Sequence, residues 1–576
     1  MFRTARLLQI LALCTFPFLA ACSQDAKTNV YTDEDGPLRY VSADTPYLLA
    51  SLTPLPDDVY DKLEPRIDRL MKSYQAIIRL SVQQGMQQAA EGEALPEAQR
   101  EHMNGVIDRL IGLMSADGMH AAGFDRNAKV LLYGNGLLPV LRVSLNDAAA
   151  FEKTLKSIEE EAGNEMELAT LDKLSYRFVG DDKARVVLAI IDGQLVASIV
   201  PVGLSDDSLR SVFGLTLPAQ AISKSGRLQQ LAETYGYTSH GAGFIDFEKL
   251  VHTFTDAQSG INAELLQLGE FDAAQLSDVC KAEIRSMATI APRLVTGYTE
   301  ISEERMSSKT VLEFRRDIAD GLATLPAVVP GLGTDHGGLV SFGMSIDLLA
   351  AREFYSARLD AMEDDPYNCE LFAELQGNVA QGRAAMNQPI PPIVYGLKGF
   401  LAVIDNVEGL DVATKQPPTA IDMRFLLATE NAPGLLAMGS MFSPELAMLN
   451  LKNDGKPQRF ESPQMQGPID EAWLAMNDNA IALAVGNGAE DEVGGMLTAA
   501  TSSPAPFMAM HMDASRYYSF VGDAMSLQDK EEMSPELGAA VRELMQSLAA
   551  LIDRVSVTLN FTDRGMEMPA VTTLKD

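Results

Sequence analysis

The chain has 576 residues, 47% of them apolar and 22% charged, with a formal charge of −33. That length and apolar content can bury substantial cores, which excludes a disordered chain and points to several domains or one large repeated one. The acidity, with no basic stripe anywhere, excludes a nucleic-acid partner and sets the surface against anionic lipid headgroups.

Met1 to Arg6 carries two arginines and no acid, Leu7 to Phe18 is apolar, and Leu19-Ala20-Ala21-Cys22 ends the run in small residues. This order reads as a signal peptide over 1–21, because the apolar stretch is too short to cross a bilayer as a helix. Leu19-Ala20-Ala21-Cys22 resembles the lipobox of bacterial lipoprotein precursors. The resemblance implies cleavage before Cys22, a diacylglyceryl thioether on its sulfur and acylation of the freed amine, so that the membrane is a partner through that lipid. More than one acyl chain anchors durably, whereas one alone is marginal. In lipoproteins an Asp after the lipidated Cys resembles an inner-membrane retention signal; Ser23 stands there and favours the outer membrane, facing the periplasm. Residues 22–37 are polar and acidic and read as a lipidated tether.

Four segments then read as hairpins by alternation around turn residues: 128–133 with 137–145, 295–302 with 307–314, 400–405 with 420–427, and 555–561 with 566–574. Each follows a helical stretch, which in turn follows a short apolar segment (46–52, 243–247, 339–346 and 506–512). Two of the units carry a further hairpin and helix: 185–191 with 194–199 before 206–213, and 472–476 with 480–485 before 490–497. The order long, short, long, short indicates a tandem duplication that matches Arg142 with Arg424 and Asp192 with Asp478. The halves are 38–324 and 339–576, joined by a Pro- and Gly-rich linker over 325–338. Apolar residues recur on one helical face from Val59 to Leu80, with Pro65 a start or a kink, and again from Leu537 to Ile552. The fold class is α+β, with tandem strand/helices/β-hairpin units forming antiparallel sheets covered by helices.

No nucleophile elbow, zinc-binding His pair, phosphate loop or Cys-x-x-Cys is present, and no cofactor is expected. The histidines, His102, His120, His240, His252, His336 and His511, are scattered. Met508-Ala509-Met510-His511-Met512 has soft ligands that suit Cu(I), but strand alternation sends the three Met to one face, as core, and His511 to the other. Glu159-Glu160-Glu161, Glu363-Asp364-Asp365 and Glu490-Asp491-Glu492 lack the spacing of a calcium loop and read as solvated faces. So does Asp33-Glu34-Asp35-Gly36, which has Tyr31 where the first ligand should stand. Asp246 and Asp347, at strand ends, read as helix caps or as the acids of a dispersed hydrolase site. Cys280 and Cys369 are the pair left after processing, either bridged in an oxidising envelope or free and buried. The sequence thus points to a non-catalytic envelope lipoprotein with a protein or small-ligand partner. An envelope hydrolase and a carrier of an apolar ligand are the competing readings, and a carrier would require a continuous apolar cavity between helices and sheet.

Overall fold

A computed structural model describes residues 30–575 except 91–96, 125, 272–274, 411–417, 443–450, 461–470 and 527–533. The signal peptide expected over 1–21, Cys22 and the expected tether up to residue 29 lie outside the described residues. The chain forms two compact units, Met1–Ser308 and Lys309–Asp576.

Unit 1 contains β1 (Tyr47–Ser51), β2 (Val130–Asn135), β3 (Leu138–Ser144), β4 (Glu167–Leu171), β5 (Leu174–Gly180), β6 (Ala184–Ile191), β7 (Gln194–Pro201), β8 (Ala242–Asp246) and β9 (Arg293–Ile301). All pair antiparallel in the order β4-β5-β6-β7-β3-β2-β1-β8-β9. The tight β6–β7 turn sets Asp192 and Gly193 at φ 51° and 71°, the left-handed pair that suits the twist of a two-residue hairpin. Side-chain oxygens of Asp147, Ser205, Asp246 and Ser277 cap the helices Ala148–Ala162, Asp206–Phe213, Phe247–Thr255 and Asp278–Ala288. Pro65 neither starts nor ends its element; it lies inside the helix Asp57–Ala90. Residues ahead of β1 already lie against this unit, where Tyr31 is buried and donates its hydroxyl to the Thr238 carbonyl at 2.8 Å.

One face of this sheet is closed. Leu48, Leu131, Tyr133, Val140, Val196, Phe244 and Val295 are buried on it. The helices Asp206–Phe213 and Arg227–Tyr235 lie over that face: Arg142 donates to the Phe213 carbonyl at 2.6 Å, and the Arg227 guanidinium stacks on Phe244 at 4.0 Å.

β10 (Arg305–Glu313) carries the unit boundary. Unit 2 contains β11 (Val340–Ser345), β12 (Leu397–Glu408), β13 (Ala420–Thr429), β14 (Gln458–Arg459), β15 (Ala472–Asn477), β16 (Ala480–Val485), β17 (Met508–Asp513), β18 (Ile552–Thr562) and β19 (Gly565–Leu574). Their order is β14-β15-β16-β13-β12-β11-β17-β18-β19. With β4 and β19 set aside, this succession repeats that of unit 1 strand for strand. Its closed face is covered by the helix Ala489–Leu497, through Val493, Met496 and Leu497, and by Val329 and Leu332. The Pro/Gly segment 325–338 lies within unit 2, and Gly331 and Gly333 take φ of 75° and 86° as the chain turns onto the sheet. The helix pairs Leu348–Asp364 with Ala373–Met386 and Ala514–Ser526 with Pro535–Leu551 pack chiefly within each pair.

Candidate binding face

The register of unit 2 sorts its strand residues into two faces of opposite chemistry. On the closed face stand Ser341, Gly343 and Ser345 of β11, Ala509 of β17, and Ala475, Ala480, Ala482 and Ala484 of β15 and β16, with Leu401, Val403 and Leu426 between them. The other face carries the large residues. Its middle row runs Leu474, Leu483, Phe425, Ala402, Phe342, Met510, Val557, Ala570 across eight strands. The flanking rows add Leu427, Phe400, Met344, Met508 and Leu559 on one side, and Met423, Ile404, Val340, Met512, Val555 and Thr572 on the other. Thr572 supplies the one hydroxyl in these three rows.

At the β15–β16 end this second face is covered by Ala432, Leu436, Leu451 and Phe460. From β13 to β19 the described side chains of these rows are part-buried, and Phe342 at the centre is 40% exposed. Directly beneath, Leu426 and Val403 on the closed face have no exposure at all. Phe342, Phe400 and Phe425 line up across three strands at ring separations of 5.9 and 6.1 Å. Six strands at ~4.8 Å spacing and three rows at ~6.8 Å spacing span roughly 24 by 14 Å, an apolar strip on the order of 300 Å². Patches of that size on soluble proteins mark interaction sites. The strip has no charged group and only the edge hydroxyl of Thr572, so it can hold an apolar partner by burial and dispersion but offers no general acid, base or nucleophile.

Of the residues singled out in the sequence, only the three methionines of β17 fall on this face. Met508, Met510 and Met512 share a face opposite His511, as alternation requires, but they line the open strip instead of filling a core. His511 sits on the closed side, where its Nδ1 meets the Ser556 hydroxyl at 2.9 Å and its Nε2 has no partner. Burial pushes the His511 pKa down, Asp335 pulls it back up and His336 adds to the fall. Asp246 and Asp347 are both helix caps. Asp246 accepts from the Lys249 amide at 2.9 Å and pairs with Arg227; Asp347 accepts from the Leu349 and Ala350 amides at 3.0 Å. Lys398 lies 2.7 Å from Asp347 and 2.8 Å from Glu430. Burial would raise the Asp347 pKa, but the hydrogen bond from Lys398 and those from the helix amides bring it below its ordinary value. A lysine bridging the two carboxylates forms an ion-pair cluster, which is not the arrangement of an acid and a base.

The acid runs are tied up by arginines: Glu159 meets Arg177 at 3.2 Å, Glu363 meets Arg383 at 3.2 Å and Glu492 meets Arg424 at 2.8 Å. In the remaining acidic stretch, Asp33 accepts from the Asp35 amide in a local turn. His102, His240 and His336 each meet a backbone carbonyl, at 2.9, 3.3 and 2.8 Å. His252 pairs with Asp256 at 2.5 Å, and His120 lies in the last turn of a short helix. Among the described residues no group of His, Cys, Asp and Glu could hold a metal ion. A cleft of about 500 Å³ in unit 1, lined by Thr255, Gln258, Leu266, Gln267, Phe271 and Lys281 among others, holds Asp256, which is already paired with Arg285. Cys280 and Cys369 are each 2% exposed, one in each unit.

Sequence reasoning found the alternation that builds the strip but not its exposure. The available signal was the second set of positions in β11: Ser341, Gly343 and Ser345 are small enough for a helix or a loop to approach closely. Among the described residues no helix is long and apolar enough to cross a membrane. No family model matches the chain, and neither a curated protein nor a solved structure is similar to it.

Proposed function

We propose that this protein is a non-catalytic binding lipoprotein of the bacterial cell envelope, whose second unit receives an apolar partner on its open sheet face. The observation that carries the reading is the strip itself, an apolar sheet face with Phe342 40% exposed at its centre and no charged group in its three rows. The Leu19-Ala20-Ala21-Cys22 motif supports attachment through lipid on Cys22, at the outer membrane and facing the periplasm. Attachment by that lipid predicts that Cys22→Ala moves the protein to the soluble fraction after washing. In the same compartment Cys280 and Cys369 are a disulfide, and two titratable thiols in the unreduced, denatured chain would overturn that pairing.

The binding face is tested with an environment-sensitive apolar dye and the full-length chain. Saturable binding is expected, lost in Phe342→Asp and Met510→Asp and retained in Leu49→Asp, which alters an exposed leucine of unit 1. A folded chain that binds no dye, or binds it equally well in all three variants, sinks the proposal.

A further inference from the structure

The occupant of the strip can be narrowed by what the strip lacks. A partner protein brings polar backbone and side chains, and interfaces carry about one hydrogen bond per 100–200 Å². An area on the order of 300 Å² would therefore need about two or three donors or acceptors. These rows offer Thr572 alone, at the edge on β19. A hydrocarbon chain needs none.

The apolar side chains suit such a chain in another way. Met344, Met423, Met508, Met510 and Met512 surround Phe342, and unbranched thioether side chains conform to a ligand without fixed shape. The three rows span roughly 14 Å along the strands, close to the ~15 Å that acyl chains occupy in one leaflet. The strip is also six strands wide, enough for more than one chain side by side. Charge selects the headgroup: a protein of net charge −33 repels a free carboxylate or an anionic lipid and tolerates a zwitterion.

We infer that the open face of unit 2 holds the acyl chains of a zwitterionic diacyl phospholipid, so that the protein is a lipid-binding component of the envelope. This rests on the apolar-partner reading above and adds the chemistry of the partner.

The experiment uses the full-length chain with Cys22→Ala, so that no covalent acyl chain competes, carrying Phe342→Trp and Trp473→Phe. Phosphatidylcholine with brominated acyl chains is the probe. The introduced indole is expected to lose most of its emission on titration with the brominated lipid and none with the unbrominated one. Native Trp473 belongs to the closed-face core and serves as control, losing no emission in the chain that keeps Phe342. Quenching by brominated fatty acid but not by brominated phosphatidylcholine overturns the headgroup assignment. A chain that binds dye at the strip yet is quenched by neither lipid overturns the lipid assignment and leaves the apolar-partner reading standing. A homodimer in sedimentation that Phe342→Asp converts to monomer identifies a second copy as occupant and overturns it as well. Loss of dye binding and quenching together fails both readings.

Discussion

The two units share one strand order and put their bulk on opposite faces of it. Aligned on Arg142 and Arg424, the register sets Ser51 of unit 1 against Phe342 of unit 2, Gly241 against Met510, and Gly243 against Met512. On the closed faces Leu131 is larger than its match Val403, Ala50 is much like Ser341 and Ala242 is smaller than His511, while unit 1 also buries Tyr133, Phe244 and Val295 beneath helices. In unit 1 the largest side chains are buried beneath helices, although Leu49 and Ile199 on the other face are 50% and 42% exposed. In unit 2 alanine, glycine and serine let the covering helix approach, and the large apolar residues are left facing outward. A duplicated fold can thus keep one copy as a self-contained body and turn the other into a surface that gains stability from a partner.

The two arginines should show the difference most strongly. Arg142 is 1% exposed, donates to the Tyr133 hydroxyl, the Gln194 amide oxygen and the Phe213 carbonyl, and lies 3.7 Å from the centre of the Tyr40 ring. Arg142→Ala removes all of that packing and orphans the Phe213 carbonyl, so a loss of roughly 3–5 kcal/mol is expected in urea unfolding. Arg424 is held instead by Asp405, Glu492 and the His336 carbonyl near solvent, and Arg424→Ala should cost about 1–2 kcal/mol. Equal losses would break the comparison. Within unit 2, Leu426→Ala on the closed face should cost about 2–5 kcal/mol, whereas Phe342→Ala, although it deletes a larger side chain, should cost only about 1 kcal/mol because no sealed cavity is left behind. A Phe342→Ala penalty as large as that of Leu426→Ala would mean that the strip is a core.

Much of this was legible in the sequence. Turn residues fixed the hairpins to within a few positions, 206–213 forms the helix expected, and Arg142 and Arg424 occupy matching register positions. The hairpin of β4 and β5 was not legible, because Leu168 and Val179 are exposed and Glu167 stands on the face that Leu171 and Phe178 bury, which leaves β4 without the alternation that a buried face would impose. The strip was missed for a different reason. Alternation in Val340-Ser341-Phe342-Gly343-Met344-Ser345 separates two faces but does not say which one receives the helices, and the apolar set is the natural choice for a core. Only the three-dimensional placement of the helix Ala489–Leu497 and of Leu332 on the small set reverses that choice. Residues that face a partner obey the same hydrophobic pattern as residues that face a core, so the sequence cannot separate them.

The smallest expected effect is a pH dependence confined to unit 2. At the position of His511 and Ser556 unit 1 has Ala242 and Gly297, and the Tyr237 ring lies so close to Gly297 that a Cβ there would fall 2.5 Å from it. Unit 1 therefore fills the site with a ring that does not titrate near neutrality, and unit 2 fills it with a half-buried imidazole. Burial lowers the His511 pKa below the ordinary 6.5, against a smaller raising effect from Asp335 and together with His336. The unfolded chain then binds the proton more readily than the folded one. Stability from this group is complete above about pH 6.5 and is lost as the pH falls from there through the folded value, with a slope of at most ~1.4 kcal/mol per pH unit. Asp335, itself held below the usual carboxylate range, loses its contribution only in a separate window below about pH 4. The unfolding midpoint of the native chain should therefore drop between about pH 7 and pH 5 relative to that of His511→Ala, with the two curves parallel above about pH 7. Parallel curves over the whole range would show that the imidazole is as readily protonated in the fold as outside it, and that its place on the closed face is open to water.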